Sequence, residues 1–209
     1  MKTRNIKQQS VDRHLTSIVA SLQSGGVVIF PTETVYGIGA SAFATAGIRR
    51  IYALKGRHWR KPLAILVHAL EAAAPLVEEI PPEARRMAAA FCPGPLTLVL
   101  RASALGRLVS GGLETIGVRI PDHPVALAIL RAAAVPLATT SVNRSGEDPA
   151  TSGRRAHALF GKQVDWLIDA GVCPIQEPSS VVDFSHYPFT VLREGALSKR
   201  QLESILFHG

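Results

Sequence analysis

The sequence predicts a single-domain α/β protein in which helices flank one twisted, mixed β-sheet. Short runs of valine, isoleucine and leucine, typical of buried strands, begin at Val27, Leu63, Leu96 and Thr115. Helical patterns alternate with these runs, as they do in α/β sheets. The chain has 209 residues and is 47% hydrophobic, which is enough for one sizeable core. We therefore expect residues 1–209 to form one domain.

Four segments have the residue spacing or the start signals of helices. Apolar side chains recur at helical spacing in the first, prolines open the second and third, and a serine, a preferred N-cap residue, opens the fourth. These segments run from Val11 to Leu22, from Pro81 to Phe91, from Pro124 to Arg131 and from Ser198 to near Phe207.

Three later strands are predicted near Leu167, Val181 and Val191, and no long helical pattern separates them. Their spacing favours antiparallel pairs in the sheet in addition to parallel ones. Glycine and proline are scattered singly at the ends of elements, and neither a repeat nor a linker is visible. There is thus no sign of a second domain.

Composition argues against several classes of protein. The polar, basic start lacks the apolar segment of a signal peptide, and no stretch approaches the roughly 18–20 apolar residues of a membrane span. We therefore expect a cytoplasmic protein without a membrane partner.

Cys92 and Cys173 lie far apart and outside any Cys-x-x-Cys spacing, so we expect buried free thiols. The formal charge of +7 favours anionic partners such as nucleotides or RNA.

A polar segment, Pro31 to Ala40, directly follows the first predicted strand and holds two threonines, a glutamate, a tyrosine and two glycines. Such groups at a strand end are typical of a ligand crevice. The segment is neither a Gly-x-Gly-x-x-Gly fingerprint nor a phosphate-binding P-loop. An ordinary connection between a strand and a turn explains these residues equally well.

Four cations fall within the seven residues from Lys55 to Lys61, at the end of a predicted amphipathic helix. Lys55 and Arg57 could converge on one polyphosphate, because arginine binds oxygens in pairs and lysine is a compact charge. The alternative is a solvated helix end stabilised by the helix macrodipole. For a basic cluster considered alone, the solvated helix end is favoured. His58 and Trp59 are interpreted as residues that pack locally.

Two further segments carry polar groups next to apolar strands. Arg119 lies in the strand that begins at Thr115, where an unpaired charge would be costly to bury, so it must meet a protein carboxylate or a ligand. Ser141 and Asn143 follow a strand that begins at Leu137. They either form a turn or orient a phosphate or ribose. The sequence leaves both alternatives open for Arg119 and also for the pair Ser141 and Asn143.

Together these segments resemble the YrdC/Sua5 family of threonylcarbamoyl-adenylate synthases, from about Ser17 to Leu197. The family's split signature, Lys-x-Arg and Ser-x-Asn, is present as Lys55/Arg57 and Ser141/Asn143. The other matching segments are PTETVYG from Pro31, KPL from Lys61, PGPLTLVL from Pro93, TIGVRIPDHP from Thr115, SSVVDF from Ser179 and LREG from Leu192. The chain departs from the family's pattern at His58–Arg60 and at Thr140, and its length resembles the short, single-domain form.

The resemblance implies a YrdC-like fold with a concave, basic ligand-binding surface. It also implies a nucleotidyltransferase that converts L-threonine, bicarbonate and ATP into threonylcarbamoyl-adenylate, pyrophosphate and water. Mg²⁺ would accompany ATP, with no metal ligand assignable on the protein. The product would pass to the tRNA threonylcarbamoyl transferase machinery, which modifies the adenosine 3′ of the anticodon, and the surface could contact tRNA or double-stranded RNA.

Site residues are carried over by the same resemblance. The threonine-binding residues would be Thr32, Arg119 and Ser179. The ATP-binding residues would be Lys55, Arg57, Lys61, Thr115, Ser141, Asn143 and Arg193. Of these, Lys55, Arg57, Ser141 and Asn143 would be catalytic. They would act by positioning and by stabilising charge at phosphorus, because the sequence has no evident Cys-His pairing or Gly-x-Ser-x-Gly motif.

Two other functions are alternatives. A double-stranded RNA or tRNA binding module would suit the basic charge, although aromatic residues make up only 6% of the chain. A diverged YrdC-like paralogue could act on a threonylcarbamoyl substrate. In such paralogues the split signature is typically eroded, whereas here it is intact.

Overall fold

One ten-stranded sheet runs through residues 3–207, the part of the chain that the computed structural model describes. The strands are β1 (Arg4–Lys7), β2 (Val28–Phe30), β3 (Gly37–Ser41), β4 (Ala64–Leu66), β5 (Leu96–Arg101), β6 (Thr115–Arg119), β7 (Leu137–Ser141), β8 (Trp166–Asp169), β9 (Ser180–Asp183) and β10 (Thr190–Arg193). Their spatial order is β1-β8-β2-β3-β7-β4-β6-β5-β9-β10. Four neighbouring pairs are parallel and five are antiparallel, which confirms the predicted mixed sheet.

Helices lie between most of the strands along the chain. They are α1 (Val11–Gln23), α2 (Thr45–Lys55), α3 (Pro82–Phe91), α4 (Ala104–Ser110), α5 (Pro124–Ala133), α6 (Gly153–Phe160) and α7 (Lys199–Phe207). Short 3-10 helices cover Gln8–Ser10 and Leu70–Leu76. All five helices predicted from the sequence, including the amphipathic one that ends at Lys55, are present, and Ser198 caps the last one through a hydrogen bond from the backbone N–H of Gln201.

Two hydrophobic cores cover the two faces of the sheet. Ile29 of β2 belongs to the larger core, whereas its neighbours Val28 and Phe30 belong to a smaller one. This division follows from the alternation of side chains along a strand. The smaller core is closed by α1 and α5, which pack against each other through Ile18 and Ile129 among others.

Several elements differ from the sequence predictions. Strands β1 and β3 and helices α4 and α6 were not predicted, while the strands near Leu167, Val181 and Val191 are confirmed as β8, β9 and β10. Both cysteines are free, but only Cys173 is buried; the prediction was wrong for Cys92, which is partly buried because it directly follows the exposed C-terminal turn of α3. No helix within residues 3–207 is long and apolar enough to cross a membrane. The single domain expected for residues 1–209 stays a prediction.

Candidate active site

A cavity of about 470 Å³ lies over the middle of the sheet. Thr115, Gly117 and Arg119 of β6 line it at every second position, as do Thr97 and Val99 of β5. Alternate residues of a strand share one face, so the sheet itself forms the floor of the cavity. The volume lies within the range of roughly 300–1,000 Å³ that is usual for small-molecule sites.

Eight of the ten predicted site residues line this cavity. They are Thr32, Arg57, Thr115, Arg119, Ser141, Asn143, Ser179 and Arg193. Lys55 and Lys61 do not line it, and their places are described below. A larger cavity of about 770 Å³, at the β1 and β8 edge of the sheet, contains none of the ten. The fold therefore gathers residues from six separate segments at one place.

The two halves of the split signature meet through Lys55. Its side chain is buried, with 2% of the residue exposed, and Nζ donates hydrogen bonds to Oδ1 of Asn143 at 2.8 Å and to the carbonyl of Ser141. Ser141 donates its hydroxyl to the same Oδ1 at 2.6 Å. Asn143 in turn donates Nδ2 to the carbonyls of Arg144 and Glu147. Lys55 thus holds the turn that presents Ser141 and Asn143 to the cavity.

Burial changes the electrostatics of this end of the cavity. The pKa of Lys55 is lowered to about 7, mainly because the side chain is removed from water and in smaller part because of the charge of Arg57. Burial also lowers the pKa of Arg57. Within residues 3–207 neither group forms an ion pair with a carboxylate. Both groups therefore gain free energy from an anion in the cavity.

Lys61 acts on the cavity through its backbone. Arg57 donates Nε to the carbonyl of Lys61 at 3.1 Å and Nη2 to the carbonyl of Pro62 at 2.8 Å. The hydroxyl of Tyr52 donates to the same Lys61 carbonyl. These bonds fix the direction of the Arg57 guanidinium, while the side chain of Lys61 is exposed outside the cavity lining.

Arg119 meets a protein carboxylate, one of the two partners that the sequence left open. Its Nη2 donates to Oε1 of Glu33 at 2.7 Å and to Oγ1 of Thr34 at 2.7 Å. The second carboxylate oxygen of Glu33 accepts from the backbone N–H of Asp122 at 3.1 Å. Because Arg119 also lines the cavity, the ion pair leaves the role of this arginine toward a ligand open.

Thr32 is part of the same network. Its hydroxyl donates to the carbonyl of Val35 at 2.7 Å and lies 2.9 Å from Oγ1 of Thr34. The hydroxyl also accepts from the backbone N–H groups of Thr34 and Val35. The turn that follows β2 is therefore fixed by its own threonines, and it brings Glu33 and Thr34 to Arg119.

Ser179 and Arg193 lie together at the β9 and β10 side of the cavity. Arg193 donates Nε and Nη2 to the carbonyl of Ser179 at 3.0 Å and 2.7 Å. The hydroxyls of Ser179 and Thr97 are 2.9 Å apart. Burial lowers the pKa of Arg193, and the nearby charge of Arg119 lowers it in the same direction. Two guanidinium groups thus lie near one end of the cavity, with one carboxylate beside them.

Glu33, the ion-pair partner of Arg119, is a residue that the sequence reasoning missed. It was seen only as one polar group among several in the segment from Pro31 to Ala40. A signal for it was present, because this segment holds a single carboxylate and Arg119 needed an anion. The two partners are 86 positions apart in the sequence, so their contact could not be inferred from local patterns. Among the residues that do line the cavity, Tyr36, Glu147 and Pro149 were not predicted.

Comparison with known protein families identifies the family of this chain. A family model described as "Telomere recombination", which groups Sua5, YciO and YrdC, matches residues 20–195. The chain belongs to the Sua5/YciO/YrdC family. This membership confirms the resemblance that the split signature suggested.

Members of the Sua5/YciO/YrdC family with known names or structures are similar over nearly the whole chain. The threonylcarbamoyl-AMP synthase of Pyrococcus abyssi is 36% identical over 97% of this chain and 60% of its own length. That of Bacillus subtilis is 36% identical over 93% of this chain and 57% of its own length. The crystal structure of P. abyssi Sua5 complexed with L-threonine is 35% identical, has a TM-score of 0.92, and is matched over 99% of this chain and 61% of that chain. This chain therefore spans about 60% of the length of these relatives.

Proposed function

We propose that the chain is an L-threonylcarbamoyladenylate synthase, a nucleotidyltransferase that uses L-threonine, bicarbonate and ATP. The observation that carries the proposal is the pairing of two kinds of anion site in one cavity. Arg119 and Arg57, the latter beside the Ser141/Asn143 turn, line the same cavity, and we propose the first for the substrate carboxylate and the second for the phosphates. The names of the P. abyssi and B. subtilis relatives support the same reaction.

The amino-acid end of the site is proposed to be the region of Thr32, Arg119 and Ser179. A guanidinium group is suited to a carboxylate because its planar donors match the two oxygens. The P. abyssi structure in complex with L-threonine supports this choice of substrate. Hydroxyl groups of Thr32 and Ser179 would orient the polar groups of the amino acid by directed hydrogen bonds.

The nucleotide end is proposed to include Arg57, Thr115, Ser141, Asn143 and Arg193. Transfer at phosphorus depends mainly on positioning and on stabilisation of developing negative charge. Arg57 supplies a fixed cation, and Lys55 supplies both a buried positive charge and the support of the Asn143 turn. Lys61 contributes its backbone carbonyl to the orientation of Arg57 and its side-chain charge to the rim.

The proposed reaction proceeds without a covalent enzyme intermediate. The ammonium group of threonine first loses a proton, and the neutral amine nitrogen then attacks the carbon of bicarbonate, so that a carbamate forms with loss of water. If bicarbonate first takes up a proton and releases water as CO2, attack of the amine on CO2 gives the same carbamate with loss of a proton from nitrogen. A carbamate oxygen then attacks the α-phosphorus of ATP. The bond from the α-phosphorus to the bridging oxygen breaks, and pyrophosphate leaves with the electron pair. The cations of the cavity stabilise the charge that develops on the phosphate oxygens.

Magnesium enters the proposal as part of the substrate MgATP. Mg²⁺ prefers oxygen ligands, retains several waters and is commonly held through substrate phosphates. Glu147 is the single carboxylate among the residues that line the cavity, and no group of three His, Cys, Asp or Glu within residues 3–207 could hold a metal ion. We propose that phosphate oxygens and water supply most of the Mg²⁺ ligands.

We further propose that the product serves tRNA modification in the cytoplasm. A mixed anhydride of a carbamate and AMP is a reactive group donor, so an acceptor enzyme must use it soon after release. The tRNA threonylcarbamoyl transferase machinery is the proposed acceptor. Direct contact with tRNA or double-stranded RNA stays a prediction from the charge of +7.

One experiment tests the reaction and its specificity. The purified protein is incubated with ATP, MgCl2 and bicarbonate in the presence of L-threonine, L-serine, L-valine or no amino acid, and AMP adducts are measured by mass spectrometry. We expect a threonylcarbamoyl-AMP adduct and equimolar pyrophosphate that depend on both threonine and bicarbonate. Absence of a threonine-dependent adduct would refute the proposal.

Two added arms separate the alternatives. RNA binding that falls steeply with salt, without release of pyrophosphate, would favour a binding module. Consumption of added threonylcarbamoyl-AMP or threonylcarbamoyl-tRNA, without synthesis from threonine, would favour a diverged paralogue.

A further inference from the structure

We propose that Glu33 is a positioning residue that holds the guanidinium of Arg119 in the orientation that binds the carboxylate of the amino-acid substrate. The inference rests on the proposed function and adds to it a residue that does not touch the substrate. Glu33 is 6% exposed and does not line the cavity, whereas Arg119 does. Glu33 can therefore affect a substrate only through the position of Arg119 or through its own charge, and not by direct contact.

Both carboxylate oxygens of Glu33 are engaged by donors from one strand end. Oε1 accepts from Nη2 of Arg119 at 2.7 Å, and Oε2 accepts from the backbone N–H of Asp122 at 3.1 Å. The backbone carbonyl of Glu33 also accepts from the N–H of Ile175. Glu33 is thus fixed at three points, and it can act as a rigid anchor for the guanidinium.

The contacts of Arg119 leave one edge of its guanidinium directed at the cavity. Nη2 is bound by Glu33 and by Oγ1 of Thr34, and Nε donates to the carbonyl of Gly94 at 3.4 Å. Within residues 3–207 no protein acceptor is bonded to Nη1. No buried side-chain nitrogen of these residues lacks a partner, so Nη1 is not buried. Nη1 is therefore open to the cavity that Arg119 lines.

Glu33 also balances the charge at this end of the site. Arg119 and Arg193 are close enough for the charge of Arg119 to lower the pKa of Arg193, after the larger effect of burial. Glu33 neutralises one of these two cations, which leaves one positive charge for the single carboxylate of an amino acid. The arrangement favours a monocarboxylate over a substrate with two negative charges at this end.

Two opposing effects are expected when the charge of Glu33 is removed. A more positive cavity would attract a carboxylate more strongly, whereas a released guanidinium would lose its fixed orientation. We expect the loss of orientation to dominate, because the amide introduced by Glu33→Gln would present its N–H₂ group to one of two donors that both need an acceptor. Arginine also has several rotatable bonds that must be fixed again for each carboxylate that binds.

The test measures L-threonine binding by calorimetry for the wild type and for Glu33→Gln. We expect the variant to bind threonine at least about tenfold more weakly, the value of a lost charge-assisted hydrogen bond. Binding of MgATP should be unchanged. The matched control is Asp165→Asn, because Asp165 also bonds one arginine (Arg50, at 2.6 Å) and one backbone N–H (Val27, at 2.7 Å), and none of these three residues lines the cavity. This control should lose stability without losing threonine affinity.

A double-mutant cycle shows whether Glu33 acts through Arg119. In an Arg119→Ala background, Glu33→Gln should cause no further loss of threonine affinity. Thr34→Val removes the other side-chain acceptor of Nη2 and should weaken threonine binding in the same direction, which keeps the test usable if Glu33→Gln folds poorly. Threonine affinity of Glu33→Gln equal to or above that of the wild type would overturn the inference, as would additive losses in the cycle. A wild type that neither binds threonine nor forms the adduct would instead refute the proposed function.

Discussion

Nζ of Lys55 donates a hydrogen bond to Oδ1 of Asn143 across 2.8 Å, although 88 residues separate the two in sequence. The bond joins the end of α2 to the turn after β7, and it explains why the two halves of the split signature occur together. Lys55 is the buried member of this pair, and Asn143 is the member that lines the cavity. Under the proposed function, we expect the lysine to affect a ligand both by its charge and by the position of the asparagine.

Burial of Lys55 makes the stability of the protein depend on pH. The pKa of this lysine is about 7 in the folded state, against 10.5 for a lysine in the unfolded chain. Between these values the unfolded chain binds more protons, so stability rises with pH from about 7 toward 10.5 and is lowest below that window. Relative to Lys55→Met, the wild type should gain on the order of 1 kcal/mol per pH unit within the window.

Denaturant unfolding at a series of pH values checks this dependence. Lys162→Met is the matched control, because Lys162 is an exposed lysine, and its stability curve should run parallel to that of the wild type. If the free energy of unfolding varied with pH in the same way for the wild type and for Lys55→Met, burial would not be lowering the pKa of Lys55.

Arg57 is predicted to be a main determinant of ATP affinity. Its guanidinium lines the cavity and is fixed by the carbonyls of Lys61 and Pro62. Arg57→Ala should weaken MgATP binding by about tenfold to a hundredfold, the value of charge-assisted hydrogen bonds to phosphate, and should reduce turnover. Lys55→Ala should act in the same direction through Asn143. Calorimetric titration with MgATP gives the measurement.

Arg60→Ala is the control for this experiment. Arg60 belongs to the same loop and carries the same charge, but it is exposed, stacks on Trp59 and does not line the cavity. We expect it to keep the affinity of the wild type. An equal loss in Arg57→Ala and Arg60→Ala would mean that general positive potential, rather than the fixed guanidinium, binds ATP.

Most of the predicted site residues lie at one cavity, but their contacts could not be predicted from the sequence. Eight of the predicted residues line one cavity because the family pattern marks strand ends that the sheet brings together. For Arg119 the sequence indicated that an anion was required, yet it left a protein carboxylate and a ligand equally open. The protein carboxylate is that of Glu33, which is 86 positions from Arg119 in the sequence. Local sequence patterns do not indicate contacts between residues that far apart.

The missed strands show the limits of pattern reasoning for the fold. Strand β1 has the sequence RNIK and is mostly exposed, so it lacks the apolar run that indicates a strand. Strand β3 has the sequence GIGAS, whose glycines are unfavourable in strands, yet all five of its residues are buried between β2 and β7. In both cases pairing with neighbouring strands overrides local propensity.

Arg119 is predicted to control threonine affinity. Arg119→Ala should weaken L-threonine binding by about a hundredfold, since the carboxylate would lose its proposed charged partner. The substitution should also lower stability by roughly 3 kcal/mol or more, because Glu33 would be left buried without its cation. Threonine titration and denaturant unfolding measure the two effects separately.

Arg50→Ala separates the loss of an ion pair from the loss of a ligand contact. Arg50 pairs with Asp165 at 2.6 Å, and neither residue lines the cavity. This variant should lose stability and keep its threonine affinity. Unchanged threonine affinity in Arg119→Ala would count against the assignment of this arginine to the amino acid.

The packing of α2 on β3 links the core to the nucleotide end of the site. A Cβ at Gly47 would lie 2.6 Å from Cβ of Ala40 and 2.9 Å from the carbonyl oxygen of Gly25. Alanine is favoured over glycine inside a helix by about 1 kcal/mol, but overpacking of this kind costs roughly 1–3 kcal/mol. Gly47→Ala should therefore be destabilising, despite the gain in helix propensity.

Movement of α2 would also be felt at the cavity, because Lys55 is the last residue of this helix and Arg57 follows it. Gly47→Ala should lower MgATP affinity along with stability. Ala53→Gly changes propensity in the same helix at an exposed position, and should lose about 1 kcal/mol of stability while keeping its ATP affinity. If Gly47→Ala were as stable as the wild type, α2 could shift without strain. The position of Lys55 beside Asn143 would then not depend on close packing at Gly47.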